Sequence, residues 1–271
     1  MAVLSFLFFH FYAHAFGFNK LGAFIFSTIA IVFAFNFYVS KISKSVKVEF
    51  KSKIMPIIIK DINPDLVYEK DKFITKNEFL STEIYSSDIS FYGGNDLVNG
   101  KVDDILVKFS DALVKRVQKN IQNGKEIKKE IVVFQGVLFI AKFNKKINSI
   151  TQIIDKKANF IKTNGDRAYM DDATFESHFK TYTNDQINAR YLLTPKFMQD
   201  FCELKRIFKA QICAVLKDEF IYIYINLGKD SFELDMKNTL DQDNLNAYKK
   251  EITTFLDIVK NLNLNNNLFC N

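Results

Sequence analysis

Histidine and cysteine, on which most metal sites and nucleophilic triads are built, are scarce: three of each among 271 residues, with no tryptophan at all. His10 and His14 sit in an apolar N-terminal run, and only His178 lies outside the hydrophobic segments. A single histidine gives a soluble catalytic triad or a multi-histidine zinc site little to build on, and two at i,i+4 are too few to hold a metal by themselves. Cys202, Cys213 and Cys270 are an odd set without metal-ligand spacing, which suits a reducing compartment better than a disulfide framework. Phosphate loop, dinucleotide fingerprint, H-E-x-x-H and nucleophile elbow are all missing. The 29 phenylalanines, with abundant Lys, Asn and Ile, form the profile of an A+T-rich coding sequence, so neither Phe nor Lys abundance carries functional meaning.

Acidic side chains are absent before Glu49, whereas Lys20, Lys41, Lys44 and Lys47 precede it. The formal charge of +6 is therefore concentrated beside the hydrophobic start, and the rest of the chain is close to balance. That distribution argues against a nucleic-acid partner and for a membrane. Leu21–Val39, LGAFIFSTIAIVFAFNFYV, has no ionisable side chain that would be charged at neutral pH, and at about 1.5 Å per residue it approaches the roughly 30 Å of a bilayer core. Met1–Phe18 is apolar too, and a turn at Gly17–Lys20 could fold it back as the first arm of a transmembrane hairpin. A signal peptide cleaved near Ala13-His14-Ala15 is the competing reading, weakened by the lack of a basic start. Under either reading Lys41, Lys44, Lys47, Lys51 and Lys53 follow the second segment and mark its cytoplasmic end, by the positive-inside rule. Lys41, Lys44 and Lys47 are the expected membrane-surface residues, against anionic lipid headgroups.

The body reads as α+β. Residues 46–60 form an amphipathic helix broken near Pro56, and INPD at 62–65 ends it. Short apolar stretches over 66–109, punctuated by Gly93-Gly94-Asn95-Asp96 and Asn99-Gly100, predict antiparallel strands. Ser110 is placed to cap a helix to about Ile121, with Leu113, Val114, Val117 and Ile121 on one face and a basic far side. EIVVFQGVLFIAKFN, 130–144, predicts a central strand bent at Gly136 or a tight pair. QICAVL, a turn at Lys217-Asp218, the alternating EFIYIYIN and then SFELDM predict a three-stranded meander. Thr194-Pro195 opens a helix carrying Phe197, Phe201, Leu204 and Phe208, and a closing helix puts Leu245, Tyr248, Ile252, Phe255, Leu256, Val259 and Leu262 on one stripe.

Carboxylates are the only candidates for chemistry. Asp96, Asp103, Asp104, Asp171, Asp172, Glu176 and Asp185 fall in turn-like stretches where a divalent cation could bind, although acids in turns are commonly turn formers and caps. No metal site and no cofactor is predicted, and no three of these carboxylates are expected to share a pocket.

YGGNDLVNGKVDDILVKFSDA (92–112), VVFQGVLFIAKFNKK (132–146) and FESHFKTYTNDQINARYLLTPKFM (175–198), in this order after a hydrophobic start, resemble the bacterial membrane-anchored family known as domain of unknown function 3137. The resemblance covers most of residues 48–262 and implies an anchor near the N-terminus and an α+β cytoplasmic body, with no established activity. Relatives tend to carry a polar lead-in before the hydrophobic segment, which this sequence does not show.

The expected arrangement is a transmembrane hairpin over 1–40 (second helix 21–39), a basic linker helix and first part of the body over 41–129, a second part over 130–262, and a disordered tail over 263–271. A pleckstrin-homology-like barrel is the fold alternative for 130–262. Phe134 and Phe139 are expected in the core, with Asp185 and Arg190 as an ion pair or caps of a short helix. Asp185, Arg190, Tyr191 and Thr194 are the candidate binding residues, because that segment concentrates polar groups between apolar elements. The function expected is a tethered binding or scaffold module at the bacterial cytoplasmic membrane, with lipids and a protein as partners. The alternative is a carboxylate- or metal-dependent hydrolase at the membrane surface.

Overall fold

Between Leu21 and Val39 no charged group or proline interrupts the helix, and the lysines beyond it are themselves good helix formers. The computed structural model describes Phe11 and residues 20–122, 125–233, 242–262 and 264. It shows α1 as one helix over Lys20–Glu49, continuing past the apolar run to Glu49 instead of stopping at Val39. The backbone then loosens into a π-helical turn, Phe50–Ile54, before α2, Met55–Ile62. Pro56 is the cause: it has no N–H to donate, and its ring crowds the carbonyl four residues earlier. Phe33 and Phe37 are 76% and 69% exposed on α1. Ile25–Ile62 is, among the described residues, the one helical run long and apolar enough to cross a membrane. Apart from Phe11, the expected first arm lies outside the described residues, so a single apolar helix is shown and a hairpin is not. The chain divides into two compact units, one holding α1 and the other beginning at Ile54.

The second unit is α+β, built on an antiparallel sheet whose seven described strands are β1 (Val67–Glu69), β2 (Phe91–Val102), β3 (Ile105–Gln122), β4 (Lys125–Asp155), β5 (Asp166–Ala168), β6 (Phe179–Thr183) and β7 (Gln211–Asn226). Besides α2, five described helices complete it: α3 (Lys76–Leu80), α4 (Ala173–His178), α5 (Gln186–Leu192), α6 (Pro195–Phe208) and α7 (Gln242–Asn261). The order is β1-β2-β3-β4-β6-β5, with β7 also on β4. Residues Gly136–Ala141 of β4 pair with both β3 and β7, and Thr151–Ile153 with both β6 and β7. β3 and β6 therefore share one flank of this long strand, and β7 runs along the other. β1, β5 and β7 each pair with a single neighbour, so the described strands form an open sheet and not the closed barrel considered for 130–262. The division expected between 129 and 130 falls inside β4.

Both faces of the sheet are covered. On one, Phe109 stacks on Phe139, and Phe255 of α7 lies 5.8 Å from Phe109 and 5.5 Å from Phe232. The apolar stripe of α7 faces inward as its spacing requires, with Ile252, Phe255 and Val259 buried. On the other face α3 drives Phe79 against Tyr85, Tyr92, Phe134 and Tyr224, at 5.0 to 5.7 Å between ring centres. Burying one such ring is worth about 1.5–3 kcal/mol. The Tyr224 hydroxyl donates to the Phe79 carbonyl at 2.9 Å and lies 2.7 Å from the Thr82 hydroxyl, which satisfies the polar end inside the cluster.

Several local expectations are corrected. The Ser110–Ile121 segment is strand, not helix, and Ser110 instead accepts a hydrogen bond from the Ile74 N–H at 3.0 Å. The sixteen-pair register with β4 outweighs the helical spacing of Leu113, Val117 and Ile121. Gly93–Asp96 and Asn99-Gly100 are not turns but lie within β2, across a register shift between Asn95 and Val98. The hairpin turn is Asp103-Asp104, both with positive φ (47° and 63°), as a two-residue loop between twisted strands requires. Lys217-Asp218 does not close a hairpin: β7 runs through it, and Asp218 (φ 57°) sits between two register shifts against β4. Ser231–Glu233 is not strand, and the rest of SFELDM lies outside the described residues. In the expected tail, Leu264 is buried, its N–H bonded to the Val259 carbonyl at 3.0 Å.

Candidate functional site

Thr183, Asn184 and Asp185 turn the chain out of β6 into α5. Thr183 accepts from the Asp185 N–H at 3.1 Å, and the Asp185 carboxylate accepts from the Ile187 and Asn188 N–H groups at 3.0 and 2.9 Å. Asp185 is thus the helix cap, and no Asp185–Arg190 ion pair forms among the described residues. Arg190 donates to the Gln186 carbonyl at 3.0 Å and to the Tyr169 carbonyl at 3.4 Å. Ala189 and Leu192 bury the inner side of α5, and Asn188 donates to Ser149 at 2.7 Å. Thr194 ends the segment by accepting from the Phe197 N–H at 3.2 Å, with Pro195 opening α6.

Beside the exposed Asp185 and Arg190, the outward side carries apolar and aromatic groups. Ile187 is 84% exposed and Tyr191, one turn later on the same face, 45%. Tyr169, whose carbonyl Arg190 reaches, is 70% exposed, with the Arg167 guanidinium 4.7 Å from its ring centre. Arg167 is fixed from behind by Glu176, at 2.5 Å, and by the Thr181 carbonyl at 3.0 Å. Tyrosine and arginine around an exposed aliphatic side chain are the residue types that carry most of the energy of protein interfaces. Asp185, Arg190, Tyr191 and Thr194 are thus brought to one short segment. The exposed Ile187 and Tyr169 were missed, the latter because it comes from the β5–α4 connection.

The carboxylates do not converge. Asp103 and Asp104 are exposed in the β2–β3 turn, Asp172 caps α4 by accepting from the Phe175 N–H at 2.8 Å, and Asp171 is exposed beside it. Asp96 departs from the expectation of an exposed turn. It is buried and accepts from the Tyr68 hydroxyl at 2.5 Å, and burial followed by this carboxylate pushes the Tyr68 hydroxyl far above its usual pKa. Among the described residues no three of His, Cys, Asp and Glu are placed to hold a metal ion. His178 is exposed at the end of α4. Burial pushes the Cys213 thiol up to about 12 and the Cys202 thiol up to about 11, so both are protonated and unreactive at neutral pH.

A groove missed in the sequence opens beside α3. Phe73, Tyr92 and Leu97 line a hollow of about 820 Å³, and Leu106, Phe220 and Tyr222 a neighbouring one of about 380 Å³. Asn99 and Lys108 border both. Lys108 meets Glu78 at 2.7 Å, and Glu78 also closes a capping box with Thr75. Partial burial pushes the Glu78 carboxyl up, but Lys108 and the Thr75 donors outweigh it and hold it below its usual value. α3 is too short to show a helical period in the sequence, and the groove's other walls come from strands far apart in the chain.

An open antiparallel sheet faced by helices, preceded by one apolar helix, defines an α+β protein in outline. Residues 132–264 match the family described as Protein of unknown function (DUF3137). The block at 92–112 lies outside the matched span. None of the curated proteins matches the chain. Among solved structures, the crystal structure of the mycobacterial trehalose monomycolate transport factor A, TtfA, is similar over 78% of this chain and 97% of that one, at 10% identity and a TM-score of 0.37. A likeness that distant carries neither fold detail nor function across.

Proposed function

We propose that this protein is a bilayer-anchored binding module, held in the cytoplasmic membrane of a bacterium by α1, with its body in the cytoplasm, where α5 docks a protein partner. The observation that carries the reading is α1 itself. Its apolar side chains from Ile25 to Val39 are largely exposed, and lysines at 41, 44 and 47 follow at once. Such a helix is costly in water and stable in lipid, and its basic end favours the cytoplasmic side and anionic headgroups. The outward Ile187, Tyr191 and Tyr169 support docking of a protein at the body, because a scaffold needs exposed anchors and no convergent catalytic groups.

A reporter active only in the cytoplasm, fused after Asn271, tests the topology: it should be active, and its efficient export would overturn the reading. Ile187→Asp tests the docking surface. At 84% exposure the substitution should change folding stability by no more than about 0.5 kcal/mol while abolishing in-cell crosslinks from a photoreactive residue at position 191. Unchanged crosslinking would move the docking site elsewhere.

A further inference from the structure

The β3–β4 hairpin outruns its sheet. β2 follows β3 no farther than the Phe91–Lys115 pair, and β7 reaches β4 only at Gly136. From Arg116–Ile131 out to Gln122–Lys125 the two strands pair, among the described residues, only with each other. That is a ribbon about 23 Å long at about 3.3 Å per residue. Its root is fixed, with Arg116 3.8 Å from Asp88 and its guanidinium 5.3 Å from the Phe160 ring centre. Farther out, side chains 117–121 and 126–130 are all exposed.

Two features of this ribbon conflict with life in water alone. An isolated two-stranded ribbon is marginally stable, and its unpaired edges invite association. Its charge is also one-sided: Arg116, Lys119, Lys125, Lys128 and Lys129 against Glu126 and Glu130. Lys119 lies directly opposite Lys128, a like-charge pairing that costs stability, and both lean on the single Glu126 at 3.3 and 4.0 Å. Exposed aliphatic groups sit among these charges, Ile121 at 83%, Ile127 at 46% and Val117 at 38%. Basic groups interleaved with exposed isoleucines match an anionic bilayer interface, where headgroups neutralise the lysines and the apolar groups enter the acyl boundary. A soluble polyanion would use the lysines and leave the isoleucines in water.

Lys119, Ile121 and Lys128 share one face of the ribbon and Ile127 and Lys129 the other. We propose that the β3–β4 ribbon is a second membrane contact, an arm that meets an anionic phospholipid surface by its outer end, with Ile121 and Ile127 in the interface on either face and Lys119, Lys128 and Lys129, nearer the root, among the headgroups. The inference rests on the anchoring reading to this extent: a body tethered to the bilayer meets that surface at high effective concentration, so a weak contact suffices.

The test is backbone hydrogen exchange on the full-length chain in nanodiscs of phosphatidylcholine alone and of phosphatidylcholine with phosphatidylglycerol. Residues 117–130 should exchange about tenfold more slowly in the anionic discs, the scale set by a few lysines at a charged surface. The slowing should vanish with Lys119→Glu/Lys128→Glu and survive with Lys119→Arg/Lys128→Arg. Equal exchange in both discs overturns the proposal and leaves the lysines as guards of open strand edges. Slowing by added RNA in neutral discs, with none from anionic lipid, overturns it in favour of a soluble polyanion. Residues 25–39, read in the same samples, report the anchor separately: their failure to be protected in either disc counts against anchoring, whereas the ribbon is judged on 117–130.

Discussion

Gly136 shows how one residue sets the course of the central strand. Its φ of +155° lies where side chains are rarely accommodated, and an added Cβ would stand 2.1 Å from the Ile225 carbonyl of β7. Gly136→Ala should therefore cost several kcal/mol, about the upper range for single substitutions, by separating β4 from β7. Thermal unfolding checks it, and a melting temperature within experimental error of the parent would show that the strands yield. The central strand was legible from its β-branched and aromatic run, but the strand pressing on Gly136 was not, because β7 lies about ninety residues away in the chain. Glu78 makes a pH prediction. Partial burial alone would raise its pKa, and the Lys108 and Thr75 contacts outweigh it, so the folded-state value lies below the usual 4.5. A lowered carboxylate contributes stability that is present above its unfolded-state value and lost as pH falls through the folded one. Glu78→Gln should flatten the fall in stability below about pH 4.5 relative to the parent. Parallel acid limbs for the two proteins would show that the Lys108 contact does not hold in solution.

Among the elements, those whose side chains meet a core were legible and those facing water were not. The α7 stripe, the Thr194-Pro195 helix start and the alternation of Ile221, Ile223 and Ile225 were readable because burial imposes a period. β3 was misread as helix because its outer half lies in the ribbon, where Val117 and Ile121 face solvent and no core enforces alternation. Asp185 as a cap was equally legible, being a local effect, whereas the Arg190 contact to the Tyr169 carbonyl spans twenty-one residues and no local rule supplies it. Phe255 tests the α7 assignment. It is 1% exposed between Phe109, Phe208 and Phe232, so Phe255→Asp buries a charge with no partner and should destabilise the protein by at least about 3 kcal/mol. Chemical denaturation of the full chain would show it, and an unchanged midpoint would place that stripe against something other than the sheet.

For the whole molecule, the composition of the first fifty residues says more about function than any side-chain constellation in the body. The apolar α1 and the lysines after it are what support the proposed function, a body kept at a bilayer. The body offers it an aromatic surface at α5 and, as proposed, a basic ribbon for the lipid. The proposed function requires α1 to be embedded in lipid. Membranes from cells producing the full-length chain, washed with alkaline carbonate and sedimented, decide this directly. The protein should remain in the pellet with integral proteins, whereas its release into the supernatant with peripheral ones would contradict the anchoring and the function built on it.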